Sequence, residues 1–198
     1  ATAAEVIAFL ADTAPDRVIS GLGGTGVAAI FTGEEDGPTV LFRCELDALP
    51  IEELSDLPHR SRLPGKGHMC GHDGHMATLA ALARGLSRQR PKRGRVVLLF
   101  QPAEETGAGA AAVISDPNFA EITPDYAFSL HNMPGLALGQ VWLKDGIVNC
   151  ASRGLKIVLT GKTAHASLPE TGNSPMRAVS TLMLGLASLS GGSLDDDD

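Results

Sequence analysis

Short apolar runs, bounded by glycine, proline and polar residues, alternate along this chain with stretches in which apolar positions recur at helical spacing. The runs are rich in apolar and β-branched residues and predict strands at 27–31, 39–44, 96–100 and 126–130. The periodic stretches predict helices at 5–10, 74–88 and 107–114. Strands that alternate with helices predict an α/β fold, in which functional groups collect at the carboxyl ends of the strands.

The pattern changes near residue 149, where a second unit is predicted to begin. Residues 155–159 predict a strand, and Ser174-Pro175 predicts the start of a helix, with serine as its N-cap and proline at its first position. We therefore predict one domain over residues 1–150 and the incomplete beginning of a smaller α+β domain over residues 151–198. The chain begins inside a helical pattern and stops on four aspartates, so we expect it to be truncated.

Composition excludes several classes of partner. The net charge of −7 argues against the basic surface that nucleic-acid binding requires. No apolar stretch approaches the roughly 20 residues that cross a membrane, and no signal peptide opens the chain. The cysteines at 44, 70 and 150 are too few and too spread for a disulfide framework. We therefore expect a cytoplasmic protein that binds neither nucleic acid nor membrane, in which Cys44 and Cys150 are structural.

The most informative segment is Gly67–His75, which holds one thiol, three imidazoles and a carboxylate. Thiolate and neutral imidazole are ligands that Zn²⁺, Mn²⁺, Co²⁺ or Ni²⁺ accept, so Cys70 and His72 are candidate metal ligands. The alternative is that Cys70 is a small buried residue and His72 a helix cap. His68 and His75 flank the pair and are more typical of structural groups, or of groups that orient a ligand.

Two further segments place polar groups directly after predicted strands. Glu104 and Glu105 follow the strand at 96–100 and, in an extended chain, would point to opposite sides, so that one holds a metal ion while the other remains a free base. His131 ends the strand pattern at 126–130 and is a third candidate ligand. The alternatives are a solvated acidic turn for the two glutamates and an ordinary hydrogen-bonded polar residue for His131.

Four other features give weaker signals. Asp47, after the strand at 39–44, either orients a ligand imidazole or is a turn carboxylate. His165, in the second predicted unit, either donates a hydrogen bond to an oxyanion or lies on the surface, and His59 is expected to be solvated. Residues 21–26 match the G-x-G-x-x-G pattern of dinucleotide-binding loops, but the residues after them are too β-prone for the helix that such a loop requires. We predict a turn between strands there.

Five motifs occur in a fixed order along the chain: R-C-E-L-D-A-L-P-I-E-E, H-M-C-G-H-D-G-H, F-Q-P-A-E-E, L-H-N-M-P-G and G-K-T-A-H-A-S. Together they resemble the dinuclear-metal amidohydrolases of the aminoacylase/carboxypeptidase clan, in particular the branch of hippurate hydrolases, N-acyl-L-amino acid amidohydrolases and plant auxin-conjugate hydrolases. The resemblance implies a zinc-peptidase-like catalytic domain with a mixed sheet flanked by helices. It also implies that a smaller α+β lid domain interrupts the catalytic domain and commonly forms a homodimer.

The same resemblance implies a role for each candidate residue. The implied ligands of two divalent ions (Zn²⁺, Mn²⁺, Co²⁺ or Ni²⁺) are Cys70, His72, Glu105 and His131. The implied catalytic residues are Glu104 as general base, His165 as a group that binds the substrate or its oxyanion, and Asp47 behind a ligand imidazole. The implied reaction is metal-dependent hydrolysis of the amide bond of N-acyl amino acids, so the expected partner is a small-molecule substrate.

The chain departs from the family pattern in sequence and in length. Residues 43–47 read R-C-E-L-D where relatives commonly read R-A-D-M-D, and Met69 replaces an alanine before Cys70; both changes keep the ligand positions. Relatives also complete the lid and supply a final histidine ligand from a later segment. We therefore expect these 198 residues alone to bind metal weakly and to have little activity. Two alternatives remain open: a dipeptidase or aminopeptidase of the same clan, and a non-catalytic metal-binding or dimerisation fragment.

Overall fold

The structure, a computed structural model, describes residues 2–148 and 155–189. It divides into two units, residues 1–139 and residues 140–198. The domain boundary expected near residue 150 falls among residues outside the described part of the chain, as does Cys150, and it stays a prediction. Each unit is considered by itself below.

The first unit contains one mixed five-stranded sheet. Its strands are β1 (Arg17–Leu22), β2 (Gly26–Thr32), β3 (Glu35–Glu45), β4 (Arg93–Gln101) and β5 (Tyr126–Ser129). They lie in the order β1-β2-β4-β3-β5. The pairs β1–β2 and β2–β4 are antiparallel, whereas β3 runs parallel to both β4 and β5.

Helices cover both faces of this sheet. The first unit holds α1 (Thr2–Ala11), α2 (His72–Arg88), α3 (Gly109–Ile114) and a 3-10 helix (Pro117–Ile122). One core cluster joins Leu10 of α1 and Leu79 of α2 to Phe31 and Phe100 of the sheet. A second cluster, on the other face, joins Val113 of α3 and Ile122 to the sheet. The central strands β2 and β4 are therefore covered on both sides, which is why they consist of nearly continuous apolar runs.

These elements confirm the predicted α/β fold with a mixed sheet flanked by helices. Each predicted strand and helix of the first unit is present, with bounds shifted by a few residues. The G-x-G-x-x-G match is indeed a turn: it joins β1 to β2, and Gly24 N–H donates to the Gly21 carbonyl at 2.9 Å. The strand β1 was not predicted, because its sequence R-V-I-S-G-L mixes polar and apolar residues without strict alternation.

The second unit is less regular in its described part. Its helix α4 (Met176–Leu189) begins as predicted, since the Ser174 hydroxyl accepts a hydrogen bond from Met176 N–H at 3.3 Å. A short 3-10 helix spans Pro169–Thr171, and Lys162 pairs with Asn173 in an isolated bridge. The predicted strand at 155–159 was wrong. No described residue pairs with its backbone, and a strand without a partner leaves its backbone groups to water.

The parallel register of β3, β4 and β5 brings the carboxyl ends of these three strands together at one end of the sheet. Glu45 lies opposite Gln101 between β3 and β4, and Arg43 lies opposite Ser129 between β3 and β5. The residues that follow each strand, which carry Asp47, the two glutamates and His131, therefore leave the sheet side by side.

The outer strand β5 is exposed along its whole length. Tyr126 is 60% exposed and Phe128 53% exposed, although the Phe128 ring stacks on Phe42 with 5.5 Å between ring centroids. In the described part of the chain, no strand pairs with the free edge of β5. Of the helices in residues 2–148 and 155–189, none has the length and apolarity needed to cross a membrane.

The turn after β4 is tightly built. Ala103 adopts a left-handed conformation with φ of 50°, and Gly107 N–H donates to the Glu104 carbonyl at 2.8 Å. Gly109, at the start of α3, closes the turn by donating its N–H to the Ala103 carbonyl at 3.0 Å. A Cβ atom on Gly109 would lie only 1.6 Å from the Pro102 carbonyl oxygen. The absence of a side chain at position 109 therefore allows the glutamate-bearing turn to pack against α3.

We expect Gly109→Ala to destabilise the first unit by about 2–3 kcal/mol, because backbone must move to make room for the methyl group. Gly85→Ala is the matched control. Gly85 lies inside α2 with open space around its Cα, so alanine there should stabilise the fold by about 0.5–1 kcal/mol. Urea denaturation of both variants measures the difference. Equal midpoints for the two alanines would show that the turn relaxes freely.

Candidate metal centre

His72, the first residue of α2, is the most deeply buried of the predicted ligands, with 1% of its surface exposed. Its Nδ1 lies 2.9 Å from the Asp47 carbonyl oxygen, which can only accept, so Nδ1–H is the donor. The neutral ring then carries its lone pair on Nε2, and this buried atom has no hydrogen-bond partner among the described residues. Because a buried polar atom without a partner is costly, His72 Nε2 requires a further partner.

Cys70 and His131 meet close to His72. Cys70 Sγ lies 3.4 Å from His131 Nε2. His131 Nδ1 donates to the carbonyl oxygen of its neighbour Asn132 at 2.8 Å, so His131 also keeps its lone pair on Nε2. The ligand atoms of Cys70, His72 and His131 all lie within 4.8 Å of one another. The structure thus brings together three of the four predicted ligands from two distant segments.

Glu104 and Glu105 approach the same imidazole. Glu104 Oε2 and Glu105 Oε1 each lie 3.7 Å from His72 Nε2, and the three side chains form a second group within 4.8 Å. The expectation that the two glutamates point to opposite sides was wrong. Residues 104–107 form a turn instead of an extended strand, and the turn directs both carboxylates towards His72.

Asp47 contacts both His72 and the backbone of Glu105. Its carbonyl oxygen holds His72 Nδ1, and its Oδ1 lies 3.5 Å from the same nitrogen. Its Oδ2 accepts a hydrogen bond from the Glu105 backbone N–H at 3.0 Å. Asp47 therefore orients the His72 imidazole, and the role of that imidazole as a metal ligand stays a prediction.

The carboxylates also affect the Cys70 thiol. Burial raises the pKa of Cys70, and the hydrogen bond and negative charge of Glu105, together with the charge of Glu104, raise it further. The thiolate is therefore disfavoured unless a positive charge is placed among these groups. Burial also raises the pKa of Cys44, which lies in the core cluster beneath α2, in agreement with a structural role.

A third group of possible ligands, Glu45, His72 and His75, is fully buried, but only His72 has a ligand atom without a protein partner among the described residues. His75 Nδ1–H donates to Glu45 Oε2 at 2.8 Å, and Glu45 is also paired with Arg43. His75 Nε2 lies 2.8 Å from Asn132 Oδ1 and 3.1 Å from the Asn132 backbone nitrogen. Both ring nitrogens of His75 are thus occupied, which makes it a poor ligand.

Sequence reasoning did not identify Glu45 or Asn132. A signal for Glu45 was present, since residues two apart on a strand face the same side, and Arg43, Glu45 and Asp47 are spaced in this way. No comparable signal marks Asn132, whose contact with His75 joins segments separated by 57 positions in the sequence.

The remaining histidines lie apart from this cluster or lack a role in it. His59 is exposed, as expected, and His68 is half-buried with no partner for its Nδ1 among the described residues. His165 is exposed in the second unit, where its Nδ1 accepts a hydrogen bond from Ser167 N–H at 3.2 Å and lies 2.7 Å from the Ser167 hydroxyl. This arrangement favours the tautomer with a proton on Nε2, which is a hydrogen-bond donor.

Comparison with known proteins identifies the family of the chain. The family described as peptidase family M20/M25/M40 matches residues 41–185. N-acetyl-L-cysteine deacetylase of Bacillus subtilis is 43% identical over 166 residues, which cover 83% of this chain and 39% of the relative. Hippurate hydrolase of Campylobacter jejuni is 36% identical over 173 residues, which cover 87% of this chain and 45% of the relative.

A solved structure gives the same result at the level of the fold. The YXEP protein of Bacillus subtilis, described as a dinuclear metal binding peptidase from the M20 family, superposes with a TM-score of 0.64 at 36% sequence identity. The match covers 70% of this chain and 38% of that protein, so the chain spans less than half the length of the relatives it matches. On the family match and these identities, the chain belongs to peptidase family M20/M25/M40.

Proposed function

We propose that this chain carries the metal centre of an enzyme that hydrolyses the amide bond of N-acyl amino acids with the help of divalent ions. The observation that carries the proposal is the unpartnered, buried Nε2 of His72, with Cys70 and His131 in one group around it and Glu104 and Glu105 in the other. Imidazole, thiolate and carboxylate are the donors that first-row divalent ions accept.

Two overlapping groups that share His72 support a centre for two ions. The proposed ligands are Cys70, His72, Glu105 and His131. Anchoring of the Glu105 backbone by Asp47 supports Glu105 as the ligand, because a fixed backbone limits the motion of the carboxylate. A cation among these groups would also offset the electrostatic penalty that raises the pKa of the Cys70 thiol. Whether the ions are Zn²⁺, Mn²⁺, Co²⁺ or Ni²⁺ depends on availability as well as ligand type.

The proposed mechanism uses the second glutamate as a base. Divalent ions, when bound, supply Lewis acidity that acidifies water and polarises an amide carbonyl. The Glu104 carboxylate, 39% exposed and therefore accessible from solvent, accepts the proton of the attacking water and delivers it to the departing amino group. Asp47 holds the His72 ring so that its Nε2 stays directed at the centre.

The names of the relatives support the proposed substrate class. These names, a deacetylase of an N-acetyl amino acid and a hippurate hydrolase, support an N-acyl amino acid as substrate. The role of His165 as an oxyanion donor and a homodimer formed through the second unit stay predictions from the resemblance.

The first experiment is an activity panel on the longest polypeptide that the gene encodes, reconstituted with each of the four metals. Release of free amino acid from N-acetyl or N-benzoyl amino acids, abolished by a chelator and restored by metal, is the expected result. Cleavage only of dipeptides with free amino termini would instead identify a peptidase of the same clan. Absence of turnover with every substrate, despite bound metal, would favour a non-catalytic binding protein.

We expect Glu104→Gln to lower kcat by about 10²–10⁴-fold, since the amide cannot accept the proton of water. Metal content, measured by inductively coupled plasma mass spectrometry, should stay unchanged because Glu104 is not a proposed ligand. Glu34→Gln, an exposed carboxylate between β2 and β3, is the matched control and should keep full activity. Retained turnover in Glu104→Gln would remove this residue from the mechanism.

We expect Cys70→Ala to lower the number of divalent ions bound per chain, because it removes a ligand from the group that includes His72 and His131. Cys44→Ala removes the other described thiol, which is buried in the core and bonded to none of the proposed ligands; it should leave the metal count unchanged. Equilibrium dialysis with Zn²⁺ measures both. An equal count for the two variants would exclude Cys70 as a ligand.

A further inference from the structure

A chain of polar side chains with a buried middle lies next to the proposed metal centre and has no role in the proposed mechanism. It consists of Arg43, Glu45, His75 and Asn132, with Gln101 at its far end. Glu45 and His75 are 2% and 1% exposed, so each requires a partner that compensates for the water it has lost. Arg43 and His75 are the partners of Glu45, and Glu45 and Asn132 are the partners of His75.

We infer that His75 is a positioning residue, which holds Asn132 and through it fixes the ligand His131 relative to Cys70 and His72. The inference rests on the proposed metal centre. His75 links three elements, because it lies on α2, donates to Glu45 of β3, and contacts Asn132 in the segment after β5. Among the described contacts, none of the four proposed ligands forms hydrogen bonds that join α2, β3 and the segment after β5.

His75 Nε2 contacts both the backbone and the side chain of Asn132. The Asn132 backbone N–H donates to Nε2 across 3.1 Å. The Asn132 side-chain amide lies 2.8 Å from the same nitrogen, where either its oxygen or, after rotation of the amide, its NH2 group can face the ring. Asn132 is held by both contacts, so we expect the loss of either one to shift it.

Two further contacts transmit this anchoring to the ligands. The carbonyl oxygen of Asn132 accepts the hydrogen bond from His131 Nδ1, so the position of Asn132 fixes which nitrogen of His131 faces Cys70. The His75 and His131 rings also pack edge to face, with centroids 4.7 Å apart. His75 thus orients His131 in two ways, through Asn132 and through the contact between the two rings.

Gly71 makes room for this arrangement. It lies between the proposed ligands Cys70 and His72 with φ of 90°, and a Cβ atom there would come within 2.4 Å of Asn132 Oδ1. The Asn132 side chain therefore lies against the backbone between two ligands. A larger residue at position 71 would displace this side chain. An apolar residue at position 132 would lose the side-chain contact with His75.

The test uses Co²⁺ as a spectroscopic probe in the longest polypeptide that the gene encodes. We expect His75→Ala to weaken Co²⁺ binding by about 10–100-fold and to change the visible d–d and thiolate charge-transfer bands, since the groups behind a ligand contribute to affinity on this scale. Leu79→Ala, one turn further along the same face of α2 and equally buried, is the matched control. It should lower the Tm as well, but leave the spectrum and affinity unchanged.

Asn132→Ala keeps the inference testable if His75→Ala does not fold, because Asn132 is exposed. It removes the side-chain contact with His75 and keeps the backbone bond, so it should reproduce part of the spectral change with little loss of Tm. His75→Gln, which retains a donor and an acceptor, should restore part of the affinity lost in His75→Ala. The fold-loss of Co²⁺ affinity in the double variant His75→Ala/Asn132→Ala should be smaller than the product of the two single fold-losses, because both substitutions remove the contact between the His75 ring and the Asn132 side chain.

If His75→Ala and Leu79→Ala change the Co²⁺ spectrum and the Co²⁺ affinity equally, and in proportion to the loss of Tm, the inference is overturned and His75 is a packing residue. Unchanged Co²⁺ binding in Asn132→Ala would overturn it as well. Absence of Co²⁺ binding in the unmodified protein is a different outcome, since it contradicts the proposed metal centre itself.

Discussion

The parallel pairing of β3 with β4 and β5 is the constraint on which the proposed centre depends. Residues 45 and 101 are paired, and Leu46 N–H continues the pairing one step further by donating to the Gln101 carbonyl at 2.8 Å. The chain segments beyond these strands must therefore begin at the same edge. Helix α2 brings His72 to the same end of the sheet, because its first turn lies there and its apolar face packs in the core through Leu79 and Ala83.

Burial and charge act in opposite directions at this edge. The protein places thiol, imidazole and carboxylate groups close together, which is unfavourable for the thiolate. It also leaves the His72 Nε2 lone pair without a partner. A bound cation would stabilise the thiolate and give His72 Nε2 a partner, so the free energy of metal binding would contribute to the stability of the loaded fold. Without a metal ion, the unpartnered His72 Nε2 carries the cost of its burial.

The sequence predicted the parts of the molecule whose structure follows from the local residue pattern alone. Continuous apolar runs gave β2 and β4, and the thiol–imidazole segment gave the start of α2. The conformation of the turn after β4 could not be predicted, because it depends on a left-handed alanine and on the contact between Gly109 and Pro102. The link from Glu45 through His75 to Asn132 was also beyond reach, since it exists only when three elements are packed. Residues 155–159 have strand-like composition, but composition cannot supply a neighbouring strand.

The open edge of β5 has a practical consequence for handling the polypeptide. No strand in residues 2–148 or 155–189 pairs with its outer side, and its side chains include Tyr126 and Phe128, both more than half exposed. Exposed, untwisted or apolar edges are the sites at which sheets of separate molecules join. We therefore expect the 198 residues, purified alone, to self-associate as their concentration rises. Aggregation of this kind would reduce the apparent metal capacity of a preparation without any change in the ligands.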